Sequence, residues 1–81
     1  MNVVVRLFAR ARDLVGKDAI QVELLSGATV WDLREQLATE HPKLKPLLEK
    51  SALAVNDEFA DNSLPIPLNA EVAMVPPVSG G

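Results

Sequence analysis

The sequence predicts an α+β fold, a mixed sheet with one main helix packed on one of its faces. Three observations predict it. Residues 30–40 form the one long amphipathic stretch, with Val30, Leu33 and Leu37 at i, i+3 and i+7 and Ala38 beside them. Short β-branched runs flank it in the order strand, short helix, strand, main helix, short strands, a pattern that one sheet under one helix buries completely. The first and last runs are the most apolar, which places them side by side and parallel in the middle of the sheet.

Each element has a local reason. Val3-Val4-Val5-Arg6-Leu7-Phe8 is β-branched and aromatic and reads as a strand buried on much of both faces. Val3, Val5 and Leu7 share one face, and Val4, Arg6 and Phe8 the other. The alanine- and arginine-rich run from Ala9 to Val15 gives about two helical turns, closed by Gly16 as a C-cap. Ile20, Val22 and Leu24 alternate with Gln21 and Glu23 in a half-buried strand, and Ser26-Gly27 turns the chain. Thr29 caps the main helix, with Asp32 three residues on in a capping-box position. His41-Pro42 ends that helix, because the residue before proline is driven out of the α region. Leu44, Leu47 and Leu48 give one more helical turn around Pro46. Leu53-Ala54-Val55 and Glu58-Phe59-Ala60 flank a hairpin turn at Asn56-Asp57. Pro65 and Pro67 make residues 62–69 a loop or edge segment. Glu71-Val72-Ala73-Met74-Val75 is the last strand, stopped by Pro76. The expected division is a folded body over residues 1–75 and an extended tail over 76–81.

Composition narrows the function. At 81 residues, 48% hydrophobic and 23% charged, the chain is one small folded domain with little interior for an enclosed active site. The net charge is −3 and the eight basic residues are scattered, which argues against nucleic acid as a partner. No apolar run reaches membrane-spanning length and no signal segment opens the sequence, so the expected setting is cytoplasmic, with no membrane partner. The absence of cysteine excludes disulfides, thiolate metal sites and a thiol nucleophile. His41 is the only histidine and reads as a helix-end residue, so neither a metal site nor a Ser-His triad with Ser26 or Ser79 is expected. Asp57, Glu58 and Asp61 read as turn residues, and Trp31 as packing. No nucleotide-binding glycine loop is present, and no cofactor is expected.

What remains is the end, Pro76-Pro77-Val78-Ser79-Gly80-Gly81. Two prolines hold the approach extended. Two glycines let a backbone pass a channel that any Cβ would block. From residue 78 onward few side chains can be buried and the glycines are costly to order, so the isolated chain is expected to be mobile there. The bland alternative is an inert, frayed terminus. The α-carboxylate of Gly81 is the one group well set for chemistry. It is a weak nucleophile and a poor electrophile. Activation by ATP as an acyl-adenylate makes it an electrophile, and attack by a sulfur donor then leaves a thiocarboxylate that can deliver sulfur. An exposed apolar patch built from Phe8, Met74, Pro76 and Pro77, with Arg12 on the adjoining short helix, is the expected docking surface. The alternative, that Phe8 completes the core, stays open.

Three segments resemble a known family, the small sulfur-carrier subunit of molybdopterin synthase, of β-grasp (ubiquitin-like) fold. The first is Glu71-Val72-Ala73-Met74-Val75-Pro76-Pro77-Val78-Ser79-Gly80-Gly81, similar to an acidic-apolar strand and a Pro-Pro-Val-Ser/Thr-Gly-Gly end. The second, Leu7-Phe8-Ala9-Arg10-Ala11-Arg12-Asp13-Leu14-Val15-Gly16, resembles the family's Phe-Ala-x-x-Arg-Glu-Leu segment. The third, Thr29-Val30-Trp31-Asp32-Leu33, resembles its helix-opening Thr-Val-x-x-Leu. Met74-Val75 departs from members that carry aromatic residues there.

The resemblance implies that an ATP-dependent adenylating enzyme, similar to ubiquitin-activating enzymes, activates Gly81 and that a sulfur donor protein converts it to the thiocarboxylate. It further implies that the tail, with Val78, Ser79 and Gly80, enters the large subunit of molybdopterin synthase. There sulfur passes to cyclic pyranopterin monophosphate in molybdenum cofactor biosynthesis. The chain itself is then a non-catalytic subunit, in a synthase that is typically a heterotetramer of two small and two large subunits. Two other classes stay open. One is the sulfur carrier for the thiazole of thiamine, whose chains are generally shorter and lack the helix at residues 10–15. The other is a ubiquitin-like modifier that joins a target lysine. A binding module with an inert tail is a weaker third.

Overall fold

A computed structural model describes residues 1–77. The elements run β1 (Asn2–Arg6), α1 (Ala9–Val15), β2 (Ala19–Glu23), α2 (Val30–Glu40), a 3-10 turn (Pro42–Leu44), α3 (Lys45–Lys50), β3 (Ala52–Val55), β4 (Glu58–Phe59) and β5 (Glu71–Val75). They form one sheet of order β2-β1-β5-β3-β4. β1 and β5 are parallel, in the register Val4–Glu71, Val5–Val72 and Arg6–Ala73. The other pairs are antiparallel. The two most apolar strands therefore lie together inside the sheet, as their composition predicts.

The core fills one face of this sheet. Val3 and Val5 of β1, Val22 of β2, Leu53 of β3 and Val72 and Met74 of β5 point to it. Val30, Leu33 and Leu37 of α2 close over them, joined by Leu7, Leu44 and Leu48. β1 corrects the expectation of burial on both faces. It alternates strictly, and Val4 is 36% exposed. Both longer helices bury their apolar stripes on one side, and among the described residues no helix covers the opposite face. Trp31 corrects a second expectation. It lies about 100° around the helix from Val30, off the stripe of Val30, Leu33 and Leu37, and is 52% exposed.

Local chemistry sets the boundaries. The Thr29 hydroxyl accepts from the Asp32 N–H at 3.3 Å, and the Asp32 carboxylate accepts from the Thr29 N–H at 2.9 Å, a complete capping box. α2 closes where the His41 N–H donates to the Leu37 carbonyl, one residue before Pro42. α1 closes on Gly16 at φ 82°, a left-handed cap that suits glycine. Asn56 and Asp57 both take positive φ, 50° and 69°, the two-residue turn whose twist matches a hairpin. The Asn56 side-chain oxygen and N–H then engage the N–H and carbonyl of Glu71, locking the hairpin to the start of β5.

Arg34 ties the helical layer together. Its Nε donates to Asn62 Oδ1 at 2.8 Å, Nη1 to the Leu48 carbonyl at 2.9 Å and Nη2 to the Ser51 carbonyl at 3.0 Å. One planar side chain thus anchors the loop after β4 and satisfies carbonyls at the C-terminal end of α3. Partial burial lowers its pKa from the ordinary arginine value. Replacement by Met keeps the apolar stem but strands these acceptors. Arg34→Met should lower stability by about 2 kcal/mol, the scale of hydrogen bonds to a charged group. Arg34→Lys, a point donor, should recover only part of the loss. Chemical denaturation monitored by circular dichroism checks both, and an unchanged midpoint for Arg34→Met would contradict this role.

Candidate functional site

The site is built where the chain leaves the sheet. β5 is the middle strand of five, and it delivers Pro76, half-buried, and Pro77, exposed, at one edge of the domain. Val78, Ser79, Gly80 and Gly81, expected as the working tail, lie outside the described residues, as does the expectation of mobility there. The parallel pairing with β1 decides what surrounds the exit. Arg6 lies opposite Ala73, so β1 and β5 end on the same side of the domain. Phe8 follows β1 as the residue capping α1, in extended conformation. Ala9 next takes φ 47°, a left-handed turn that costs an alanine about 1–2 kcal/mol and swings the chain sharply into α1.

Phe8 is 45% exposed, so its ring does not complete the core. Arg12, on α1, is exposed and lies 3.8 Å from the Asp18 carboxylate. Met74 is the exception among the residues expected on this surface. Its side chain is fully buried, because it shares parity with Val72 and pairs with Leu53 on the face covered by α2. It supports the exit from beneath and offers nothing to a docking partner.

The surface that replaces it is the helix-free face of the sheet. Arg6, Ala73, Ala54 and Phe59 lie in one cross-strand row, and Val75 and Ala52 pair in the next row toward the exit. Phe59 is 76% exposed, and Val4 lies on the same face. Alanines between the larger side chains keep this face shallow, and Arg6 and Glu71 (3.6 Å apart) put opposite charges beside it. The result is a shallow apolar strip from Phe59 to Val75 with the tail root at one end. Phe59 and Val75 were missed at the sequence level. The signal was parity: if Val72 is buried then Met74 is too, and Ala73 and Val75 are not.

Among the described residues the Ser51 hydroxyl, beside the exit through the Ala52–Val75 pair, is buried and donates to the Leu47 carbonyl. Among the described residues no group of three His, Asp or Glu side chains is placed to hold a metal. His41 closes α2 through its backbone, and Asp57 sits in the hairpin turn. No helix of the described chain is long and apolar enough to cross a membrane. What the arrangement can do is present a chain end and an apolar face together to another protein.

Comparison with known proteins agrees in extent as well as in fold. The model of the ThiS family matches residues 5–81. The molybdopterin synthase sulfur carrier subunit of Dictyostelium discoideum is 41% identical over 78 residues, 93% of this chain and 91% of that protein. The crystal structure of SAMP1 from Haloferax volcanii superposes with a TM-score of 0.88 at 27% identity, covering all of both chains. A protein–protein complex of subunits 1 and 2 of the molybdopterin-converting factor from Helicobacter pylori contains a chain that matches with a TM-score of 0.71 at 28% identity, again covering both chains fully. With the β-grasp sheet order, the capped main helix and a family match that runs through the final glycines, the chain belongs to the ThiS family.

Proposed function

We propose that this chain is the sulfur-carrier subunit of a molybdopterin synthase, with sulfur held as a thiocarboxylate on Gly81. The observation that carries this reading is the near full-length similarity to a molybdopterin synthase sulfur carrier subunit, 41% identical over 93% of the chain, together with a family match that includes Gly80 and Gly81.

The chemistry follows from a carboxylate that needs outside help. Attack of the Gly81 carboxylate on the α-phosphorus of ATP releases pyrophosphate and gives the acyl-adenylate. A sulfur donor protein delivers hydrosulfide-level sulfur, which attacks the acyl carbon, expels AMP and leaves the thiocarboxylate. In the large subunit the sulfur moves to cyclic pyranopterin monophosphate, and water restores the carboxylate. The adenylating enzyme and the large subunit supply the catalytic groups, and this chain supplies the carrier. Gly80 and Gly81 are assigned to the narrow passage, where a Cβ is excluded, with Val78 and Ser79 leading into it. The tail over residues 76–81 is assigned as the moving part and residues 1–75 as the handle, in a cytoplasmic setting.

The docking face assigned to the large subunit and the adenylating enzyme is the apolar strip, with Phe8 and Phe59 as anchors, Val75, Pro76 and Pro77 leading to the tail, and Arg12 at the rim. The support is exposure of large apolar side chains on one face, continuous with the tail root, and the Helicobacter pylori neighbour, which is itself a complex of two subunits.

A second reading, a ubiquitin-like modifier, is favoured by the likeness to SAMP1, the small archaeal modifier protein 1 of Haloferax volcanii. Both readings share the acyl-adenylate and part at the next nucleophile, sulfur or a lysine amine. Incubation with ATP, an adenylating enzyme of this family and sulfide, followed by intact mass measurement, tests the first. The expected product gains the mass difference between sulfur and oxygen, and a chain lacking Gly81 does not change. Unaltered mass with ligation to lysines of other proteins would favour the modifier.

Two sets of variants test the docking face. Phe8→Ala and Phe59→Ala should each weaken binding to the large subunit by about 2 kcal/mol, as hot-spot aromatics do. Their unfolding free energies should move by less than about 0.5 kcal/mol, as at other exposed positions. Met74→Ala should instead cost about 2–5 kcal/mol of stability, the range for emptying a buried site. Calorimetric titration beside thermal unfolding separates the two. Binding unaffected by both phenylalanine changes would remove the strip from the interface.

A further inference from the structure

From the geometry of the opposite end of the domain, we infer that the outer edge of β2 and the groove beside α2 form a second docking site, for an extended basic-apolar peptide segment of a partner protein. This inference is independent of the tail chemistry.

β2 is an edge strand, paired only with β1. The bonds to β1 alternate along it. The Leu7 N–H donates to the Asp18 carbonyl, and the Leu24 N–H to the Met1 carbonyl, which puts Asp18, Ile20, Val22 and Leu24 in the bonded positions. The backbone groups of Ala19, Gln21 and Glu23 therefore point outward, and no other strand of the described residues meets them. An extended segment added there makes a regular ladder, the general route by which sheet edges bind peptides.

A groove lies alongside the end of this edge, between the chain that follows β2 and the first turns of α2. Its volume is about 620 Å³, within the range that holds a bound group. Leu24, Leu25 and Trp31 supply apolar wall, with Trp31 exposed because it lies off the core stripe of α2. Asp32 and Glu35 supply the charge, and no lysine, arginine or histidine lines the groove. Side chains of an added strand alternate between the groove side and the open face. Apolar residues fit the groove side, and lysine or arginine at the end of the segment meets the carboxylates of Asp32 and Glu35 on that side and of Glu23 on the open face.

The charge also chooses among occupants. A second copy pairing through its own β2 would bring two acidic grooves and two chains of net charge −3 together. A basic segment meets no such repulsion. Position allows simultaneous use: Glu23 pairs with Asn2 at one end of the β1–β2 ladder, and the tail leaves beyond the other end, where Ala19 pairs with Arg6. A partner held through the tail leaves this edge open.

The test uses the full chain, isotopically labelled for nuclear magnetic resonance, titrated with the capped heptapeptide Lys-Lys-Val-Thr-Val-Lys-Lys and with its counterpart carrying Glu in place of Lys. The expected result is saturable shifts at the amides of Ala19, Gln21 and Glu23 and at the Trp31 indole for the basic peptide, weaker at higher salt and absent for the acidic peptide. Gln21→Pro removes one outward donor and no donor of the β1–β2 ladder, so it should abolish binding while the β1 signals stay in place. Should that variant unfold, the double variant Glu23→Lys with Glu35→Lys carries the test, with affinity expected to fall about tenfold. No saturable shift, shifts confined to the Phe8–Phe59 face, equal binding of both peptides, or concentration-dependent pairing of β2 with a second copy would each overturn the inference.

Discussion

The parallel pairing of β1 with β5 is the constraint on which the rest of this structure depends. It joins the first strand of the chain to the last, so every element between them must fold back for the sheet to close. It seats the two most apolar strands side by side, where Val3, Val5, Val72 and Met74 form the floor of the core under α2. It also sets direction. Because the two strands run the same way, Phe8 and Pro76 leave the sheet at the same edge, and an aromatic ring from one end of the sequence stands at the exit of the other. An antiparallel pairing would have put them at opposite edges.

The second determinant is that burial is one-sided. A domain this small has helices enough for one face of its sheet, and the other carries Ala52, Ala54 and Ala73, Val4 and Val75, Phe59 and the charged Arg6 and Glu71. Alternation then does two things at once along β5: Val72 and Met74 fill the core, while Ala73 and Val75 lie on the helix-free face proposed for docking. Stability and recognition are separated by parity within five residues.

Much of this was legible in the sequence because it is local. The Thr29–Asp32 capping box, the Gly16 cap, the proline stop after His41 and the Asn56-Asp57 turn each depend on residues within a few positions of one another, and each is found where predicted. The parallel pairing of the first and last strands also followed, since those two runs were the most apolar. What failed depended on which face the helices cover. The valine run of β1 read as buried on much of both faces, Trp31 as packing and Met74 as surface. A one-sided helical layer reverses all three, and no local pattern announces it. The Arg34 clasp was invisible for a related reason: its partners lie at Leu48, Ser51 and Asn62, distant in sequence. At the tail, chemistry was read from residue type alone, from two glycines after two prolines in a chain without cysteine.

In the proposed function the folded domain is the handle and Gly81 is the reacting end. Conversion of cyclic pyranopterin monophosphate by the large subunit, supplied with thiocarboxylated chain as the sole sulfur source, tests it most directly. The dithiolene contains two sulfur atoms, so the account predicts two chains discharged for each molybdopterin formed, and none formed from a folded chain that lacks Gly81. Molybdopterin produced at the normal rate by the shortened chain would contradict it.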